Sequence, residues 1–406
     1  MGVKPTVLLA TGFVDGRGGS KMSAWAYHEL KDRGIPVIVA TNSMYKYKLD
    51  ELEIPADIIV QISPEDTKEQ LCEKCDAALR DVQYDSMLSI GWRTYWPYSA
   101  YKRNIPYVLV DGGIPTQYGS YPSQFIKEVY ANTKLFLMTT WFDWKAPVSD
   151  LIPAIKVVTQ PYSYRRVEAM KTLQQRSKAE VRAELAKEFP ILAERPDDLL
   201  VYLNMSDAYI DPFNYFPNNQ GFVDPFGHKL PDYMSYKEVE PCIGYLHNLI
   251  AGFETNYPGN VLLFVMQEKT KMLTQPIVDM CKKVTTFAPK RLDLDLDPYI
   301  KKAADVNICR ATNCDNQAEL SLIGEPCITS VVPRNYMDED TAAQQAENLG
   351  ICKQVLYDDP EYMKKLHEFV TDKAMQDHMR ASTIKVFDDF WKNNNFWVEL
   401  AKVIEI

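Results

Sequence analysis

Two aspartates and two polar loops carry the residue types that could do chemistry. Asp15 lies in the run Gly12-Phe13-Val14-Asp15-Gly16-Arg17-Gly18-Gly19-Ser20, and Asp111 ends the apolar run YVLV just before Gly112-Gly113. A carboxylate within reach of a hydroxyl can remove its proton as a general base, which an unactivated serine such as Ser20 does poorly. The glycines of the first loop let backbone approach an anion or a sugar where a side chain would stand in the way. They do not form G-x-G-x-x-G, because Lys21 stands where the third glycine belongs, so dinucleotide binding is disfavoured. The second loop runs from Ala311 to Glu319, between the strand-like DVNIC and a helix. Thr312, Asn313, Asp315 and Asn316 surround the predicted helix start, whose unpaired N–H groups suit a phosphate. Glu319, one turn further, is placed to accept hydrogen bonds from ribose hydroxyls. An ordinary N-cap at Asn313 or Asp315 would account for the same polar cluster.

Aromatic segments follow two strand-like runs: Gly91-Trp92-Arg93 after SMLSIG, and Trp141-Phe142-Asp143-Trp144 after LFLMTT. Displayed at a sheet edge, Trp92 and Trp141 would stack on a sugar or a flat acceptor, and Arg93 would add an anion contact. Packing is the competing reading. The acidic alternation Asp293-Leu294-Asp295-Leu296-Asp297 suits a hard cation, but its place before a helix fits a loop and N-cap cluster, and no metal is expected. Cys72 and Cys75 form a lone C-x-x-C with no second ligand pair at zinc spacing, so reduced thiols are expected.

The elements that must position these residues read as a βαβ rhythm: TVLLAT, PVIVAT, SMLSIG, YVLVD and LFLMTT alternate with amphipathic helical stretches. The runs are nearly continuously apolar, as in a parallel sheet covered on both faces. The rhythm breaks at Pro161-Tyr162-Ser163-Tyr164 and restarts at LLVYLNMS. A charged stretch from Val167 to Phe189, read as one helix, lies between them. The expected class is α/β, with two Rossmann-like doubly wound domains facing across a cleft: residues 1–160, residues 161–385, and a C-terminal helix over 386–406 packing back on the first domain. The 406 residues suit two cores. A formal charge of -10 makes nucleic acid an unfavoured general partner, and no apolar stretch is long enough for membrane insertion. The M-G-x-x-x-[ST] pattern ending at Thr6 runs into a core strand that would hide an acyl site, so a cytoplasmic protein is expected.

The stretch AADVNICRATNCDNQAELSLIGEPCITSVVP resembles the donor-binding region of UDP-glycosyltransferases and of the cell-wall GlcNAc transferase family. Glu319 matches the ribose-binding glutamate of those families, Gly324-Glu325-Pro326 their glycine-x-proline, and Pro333 the end of the following strand. Gly16-Arg17-Gly18-Gly19-Ser20 is similar to their first glycine loop, and Phe287-Ala288-Pro289-Lys290 to the loop that holds the base. The resemblance implies a GT-B fold and a nucleotide-sugar donor, UDP-linked, held by the second domain through Ser206, Pro289, Lys290, Thr312, Asn313, Asp315, Asn316 and Glu319. It also implies an acceptor beside Gly18, Gly19, Ser20, Trp92, Arg93 and Trp141, and no cofactor besides the donor. Two departures stand out. Ser20 occupies the position of the catalytic histidine of inverting members, which leaves Asp15 and Asp111 as candidate bases, and Ala311 or Thr312 replaces a histidine at the diphosphate. The acceptor is expected to be a small molecule or a glycan, with a nucleic-acid base as a further option if the aromatic and basic loops form one patch. The competing functions are a sugar-nucleotide epimerase and a non-catalytic nucleotide or sugar binder.

Overall fold

The computed structural model describes residues 4–12, 17–63, 66–91, 95–112, 124–143, 154–204, 236–265, 268–289, 295–310, 314–331, 339–356 and 359–406. The apolar runs of the first half become seven parallel strands: β1 (Val7–Thr11), β2 (Val37–Asn42), β3 (Ile58–Val60), β4 (Ser86–Ile90), β5 (Tyr107–Asp111), β6 (Leu135–Thr139) and β7 (Ile155–Val158). They lie in the order β3-β2-β1-β4-β5-β6-β7. Val7 pairs with Val37 on one side and with Ser86 on the other, so the chain winds outward from β1 and then returns beside it. Every residue of β1 and β4 is buried, which is why these runs show no polar alternation. Helices α1 (Arg17–Asp32), α2 (Lys46–Glu51), α3 (Lys68–Leu79), α4 (Pro97–Lys102) and α5 (Gln124–Ala131) connect them.

The junction begins with α6 (Tyr164–Gln174), α7 (Lys178–Leu185) and α8 (Ile191–Glu194). The charged stretch read as one helix therefore breaks. Ser177 caps α7 in a reciprocal pair with Glu180, and the capping residue takes an extended conformation that ends the preceding helix. The second sheet contains β8 (Leu199–Asn204), β9 (Val261–Val265), β10 (Val284–Phe287), β11 (Val306–Arg310), β12 (Cys327–Val331) and β13 (Cys352–Leu356), all parallel and in the order β10-β9-β8-β11-β12-β13. Its helices are α9 (Tyr236–Asn256), α10 (Glu268–Val278), α11 (Leu296–Ala303), α12 (Cys314–Ile323), α13 (Glu339–Asn348) and α14 (Tyr362–Thr371), and α15 (Lys373–Asn393) and α16 (Phe396–Leu400) close the chain. Alternate residues of its strands enter different cores. Leu200, Tyr202, Leu262 and Phe264 join the apolar cluster that runs through the first domain, whereas Val201, Leu203, Leu263 and Val265 join a second one.

The C-terminal segment ties the halves together. Thr159 donates its N–H to the Asn394 carbonyl, and the indole of Trp397, buried on α16, donates to the Tyr162 carbonyl at 3.0 Å. Among the described residues no helix is long and apolar enough to cross a membrane. Burial pushes the Cys72 and Cys75 thiols, inside α3, well above their ordinary pKa, so they are packing residues.

Candidate functional site

In open α/β sheets, ligands bind beyond the C-terminal strand ends, where the strand order reverses. Here those points are β1/β4 in the first sheet and β8/β11 in the second. Asp15, Trp92 and Arg93 at the first, and Ser206, Lys290, Thr312 and Asn313 around the second, lie outside the described residues. Asp111 stands at the C-terminal end of β5, half-buried, opposite Met138 of β6. Pro289, two residues beyond β10, is also half-buried.

Three expectations change. Gly18, Gly19 and Ser20 belong to the first turn of α1 and not to a loop, and Ser20 is fully buried, so its hydroxyl does not face an acceptor. Trp141 is buried and meets Phe142 edge-on at a centroid distance of 5.0 Å, so it packs the sheet end and displays no face to a sugar. The acidic alternation divides: Asp295 precedes α11 with a side chain 95% exposed, whereas Asp297 is turned inward and buried.

Asp297 is the centre of a buried charge network (0% exposure for both lysines) that joins the two domains. Lys21 Nζ of α1 lies 2.6 Å from Asp297 Oδ2, and Lys301 Nζ, one turn along α11, lies 3.0 Å from the same oxygen. Lys301 also pairs with Glu319 Oε2, and Arg166 of α6 donates to Glu319 Oε1 at 2.9 Å. The Tyr202 hydroxyl is 3.1 Å from Asp297 Oδ1 and 2.9 Å from Asn316 Oδ1. Three cations thus meet two buried carboxylates, and the exposed Asp295 carboxylate, 3.6 Å from Arg166, supplies the third. Burial by itself would raise the pKa of Asp297, but Lys21 and Lys301 outweigh it and hold the carboxyl far below its ordinary range. Burial, reinforced by the Asp297 charge, pushes the Tyr202 phenol well up, so it stays a neutral donor.

Asn316 and Glu319 are therefore on the inner face of α12, with Asp315 in its first turn. Glu319 is fully buried with both oxygens taken, and in this arrangement it offers no open face to a ribose. The reason is electrostatic: a buried carboxylate requires cationic partners, and two are supplied. Sequence reading missed Lys21, Arg166, Tyr202 and Lys301. The one local signal was Asp297 and Lys301 at i,i+4, a spacing that brings side chains together on a helix. Gly324 ends the helix that carries Glu319. With φ +70° it closes α12 as Gly324 N–H bonds the Ser321 carbonyl and Glu325 N–H the Leu320 carbonyl.

No family model and no curated protein matches the chain. Solved structures do. The spinosyn rhamnosyltransferase SpnG overlaps 98% of this chain and 99% of its own at 14% identity, with a TM-score of 0.55. A UDP-GlcNAc 2-epimerase from Neisseria meningitidis, bound to UDP-GlcNAc, overlaps 96% and 100% at 13% identity and TM-score 0.58. Anabaena HepE, in complex with UDP and glucose, overlaps 99% and 100% at 12% identity and TM-score 0.59. The chain has the GT-B fold. Likeness at this identity concerns the GT-B backbone, and the structures sharing it include a glycosyltransferase and an epimerase.

Proposed function

We propose that this protein is a UDP-sugar-dependent glycosyltransferase that acts on a small-molecule or glycan acceptor. The observation that carries the reading is full-length overlap with GT-B structures, among them one holding UDP and glucose and one that is a rhamnosyltransferase. In this reading the donor diphosphate sits at the start of α12, beyond the β8/β11 reversal, where the first-turn N–H groups and Thr312 and Asn313 receive it. Ser206, Pro289 and Lys290 border the nucleotide. The acceptor enters from the first domain, beside Asp15, Trp92 and Arg93. An acceptor hydroxyl attacks the anomeric carbon, the bond to the diphosphate breaks, and the proton passes to Asp111 or Asp15. Charge leaving on UDP is met by the helix N–H groups, which are preorganised and cost no reorientation. Glu319 fixes the pitch of α12 against α6 and α11, and a ribose would reach it only by displacing Arg166 or Lys301.

Incubation with UDP-sugars and a mixed acceptor panel, followed by mass analysis, tests this. The reading predicts free UDP and an acceptor heavier by one sugar residue, and Asp111→Asn should lower kcat by roughly 100-fold with UDP affinity retained. The epimerase reading is favoured by the overlap with the Neisseria enzyme. It predicts a UDP-sugar isomer of unchanged mass and no acceptor dependence, and that result would replace the transferase.

A further inference from the structure

A cavity of about 580 Å³ opens at the domain junction, between α1 on one side and α6 and α11 on the other. Its α1 wall is formed by Trp25, His28 and Asp32, which lie on successive turns leading away from the helix start, so it flanks the junction and does not belong to the strand-end loops. The inner wall is apolar and aromatic: Trp25, Met170 and Leu173 are all buried. Arg166 is deep as well, with a side chain 12% exposed and a guanidinium 5.1 Å from the centre of the Trp25 ring. Arg165 lines the cavity from an exposed position and forms no ion pair among the described residues. The rim carries two carboxylates, Asp32 from the first domain and the 95% exposed Asp295 from the second.

This volume is that of a small-molecule site, and each part of the wall selects a property of its occupant. The inner wall favours an apolar, preferably aromatic, body. Adjacent guanidinium groups favour a single anionic head, which planar N–H forks bind in bidentate fashion. The rim carboxylates repel a second negative charge, and so exclude nucleotides and other polyanions. We propose that this cavity binds a small monoanionic carboxylate with an aromatic body, separately from the donor and acceptor. Because its walls come from both domains, a bound carboxylate clamps them in the observed arrangement. Arg166 is the link to the buried network: its Nη1 lies 3.6 Å from Asp295, a contact that the ligand replaces, while Nη2 keeps its 2.9 Å bond to Glu319.

The test is calorimetric titration of 3-phenylpropionate into the full chain, with and without saturating UDP. Saturable binding is expected in both conditions, because the cavity is separate from the donor site. Arg165→Glu should weaken it by roughly tenfold or more, the scale of one lost charge-assisted contact. Asp295→Asn should strengthen it by about threefold, since it removes the competing carboxylate. Both side chains are exposed, and Asp295 makes no side-chain cap bond to α11, so neither variant threatens the fold. Phenethylamine, the same ring with a cation in place of the anion, should not bind. The proposal is overturned by absence of saturable 3-phenylpropionate binding up to about 10 mM, by equal affinity in Arg165→Glu, by phenethylamine binding as well, or by displacement with UDP. A protein that takes 3-phenylpropionate but not UDP would uphold this site and contradict the transferase.

Discussion

At the first strand reversal α1 leaves β1 and turns Lys21 into the interior; at the second, α12 leaves β11 and turns Asn316 and Glu319 inward. Both helices end in the same way. Gly34 closes α1 as Gly324 closes α12, each with positive φ and the same pair of backbone hydrogen bonds to the last turn. The architecture is repeated while the buried charge is inverted, and α11 joins the two through Asp297 and Lys301. Two copies of one fold thus become a mated pair: Lys21 of the first domain meets its counter-charge on α11 of the second, and Glu319 of the second is paired both within its own domain by Lys301 and from the junction by Arg166. A domain expressed alone would carry part of that network unpaired.

The largest effect should come from Asp297→Asn. Removing one side of a buried ion pair costs roughly 3–5 kcal/mol, to be read by urea unfolding of the full chain at pH 7. Because the folded-state pKa of Asp297 is depressed, its contribution is fully present above the ordinary value of 3.8 and is lost as pH falls through and below it. The gap between wild type and Asp297→Asn should be constant from neutral pH to about pH 5 and narrow below 3.8. A gap that stayed fixed into that acid range would mean that the Asp297 charge plays no part.

Next comes the link between the domains. A double-mutant cycle with Lys21→Met and Asp297→Asn should give a coupling of roughly 1–3 kcal/mol. Additive effects would mean that α1 and α11 are adjacent without being electrostatically joined. Smaller still is the contrast between the helix ends. Gly34→Ala meets only an ordinary 3.5 Å neighbour, Lys4 Nζ, and should cost about 1–2 kcal/mol for the left-handed backbone alone. A Cβ at Gly324 would stand 2.9 Å from Ile384 Cδ1 and 3.0 Å from its Cγ1, so Gly324→Ala should cost more than Gly34→Ala, with part of the excess relieved by Ile384→Val, which removes Cδ1. Equal melting temperatures for the two alanine variants would refute the packing difference.

The sheets were legible because most central strands are continuous apolar runs, which only a doubly covered sheet accommodates. The missed strands are both at edges. β3 has three residues, and β13, Cys-Lys-Gln-Val-Leu, mixes polar residues into a half-exposed strand. The glycines were legible as markers of a strand-to-helix passage, but Gly18, Gly19 and Ser20 are already helical, since the helix begins earlier than a glycine-rich spelling suggests. The charge network was not legible because its partners are distant: Lys21 and Asp297 are 276 positions apart, and Arg166 and Glu319 are 153 apart. A lysine within a predicted amphipathic helix carries no mark that says it is buried. Glu319 stood out for its place in a motif, and what it does in the folded chain depends on cations the motif does not contain.

The most direct measurement is a calorimetric titration of UDP into the full-length protein and into Thr312→Glu, which puts a negative charge where the diphosphate is assigned. The account predicts saturable UDP binding by the wild-type chain, with a Kd of roughly micromolar to millimolar scale, and its loss in Thr312→Glu with the melting temperature unchanged. No binding of UDP, GDP or dTDP by the wild-type chain, or undiminished binding by Thr312→Glu, would contradict the assignment of the second domain as the nucleotide-sugar site.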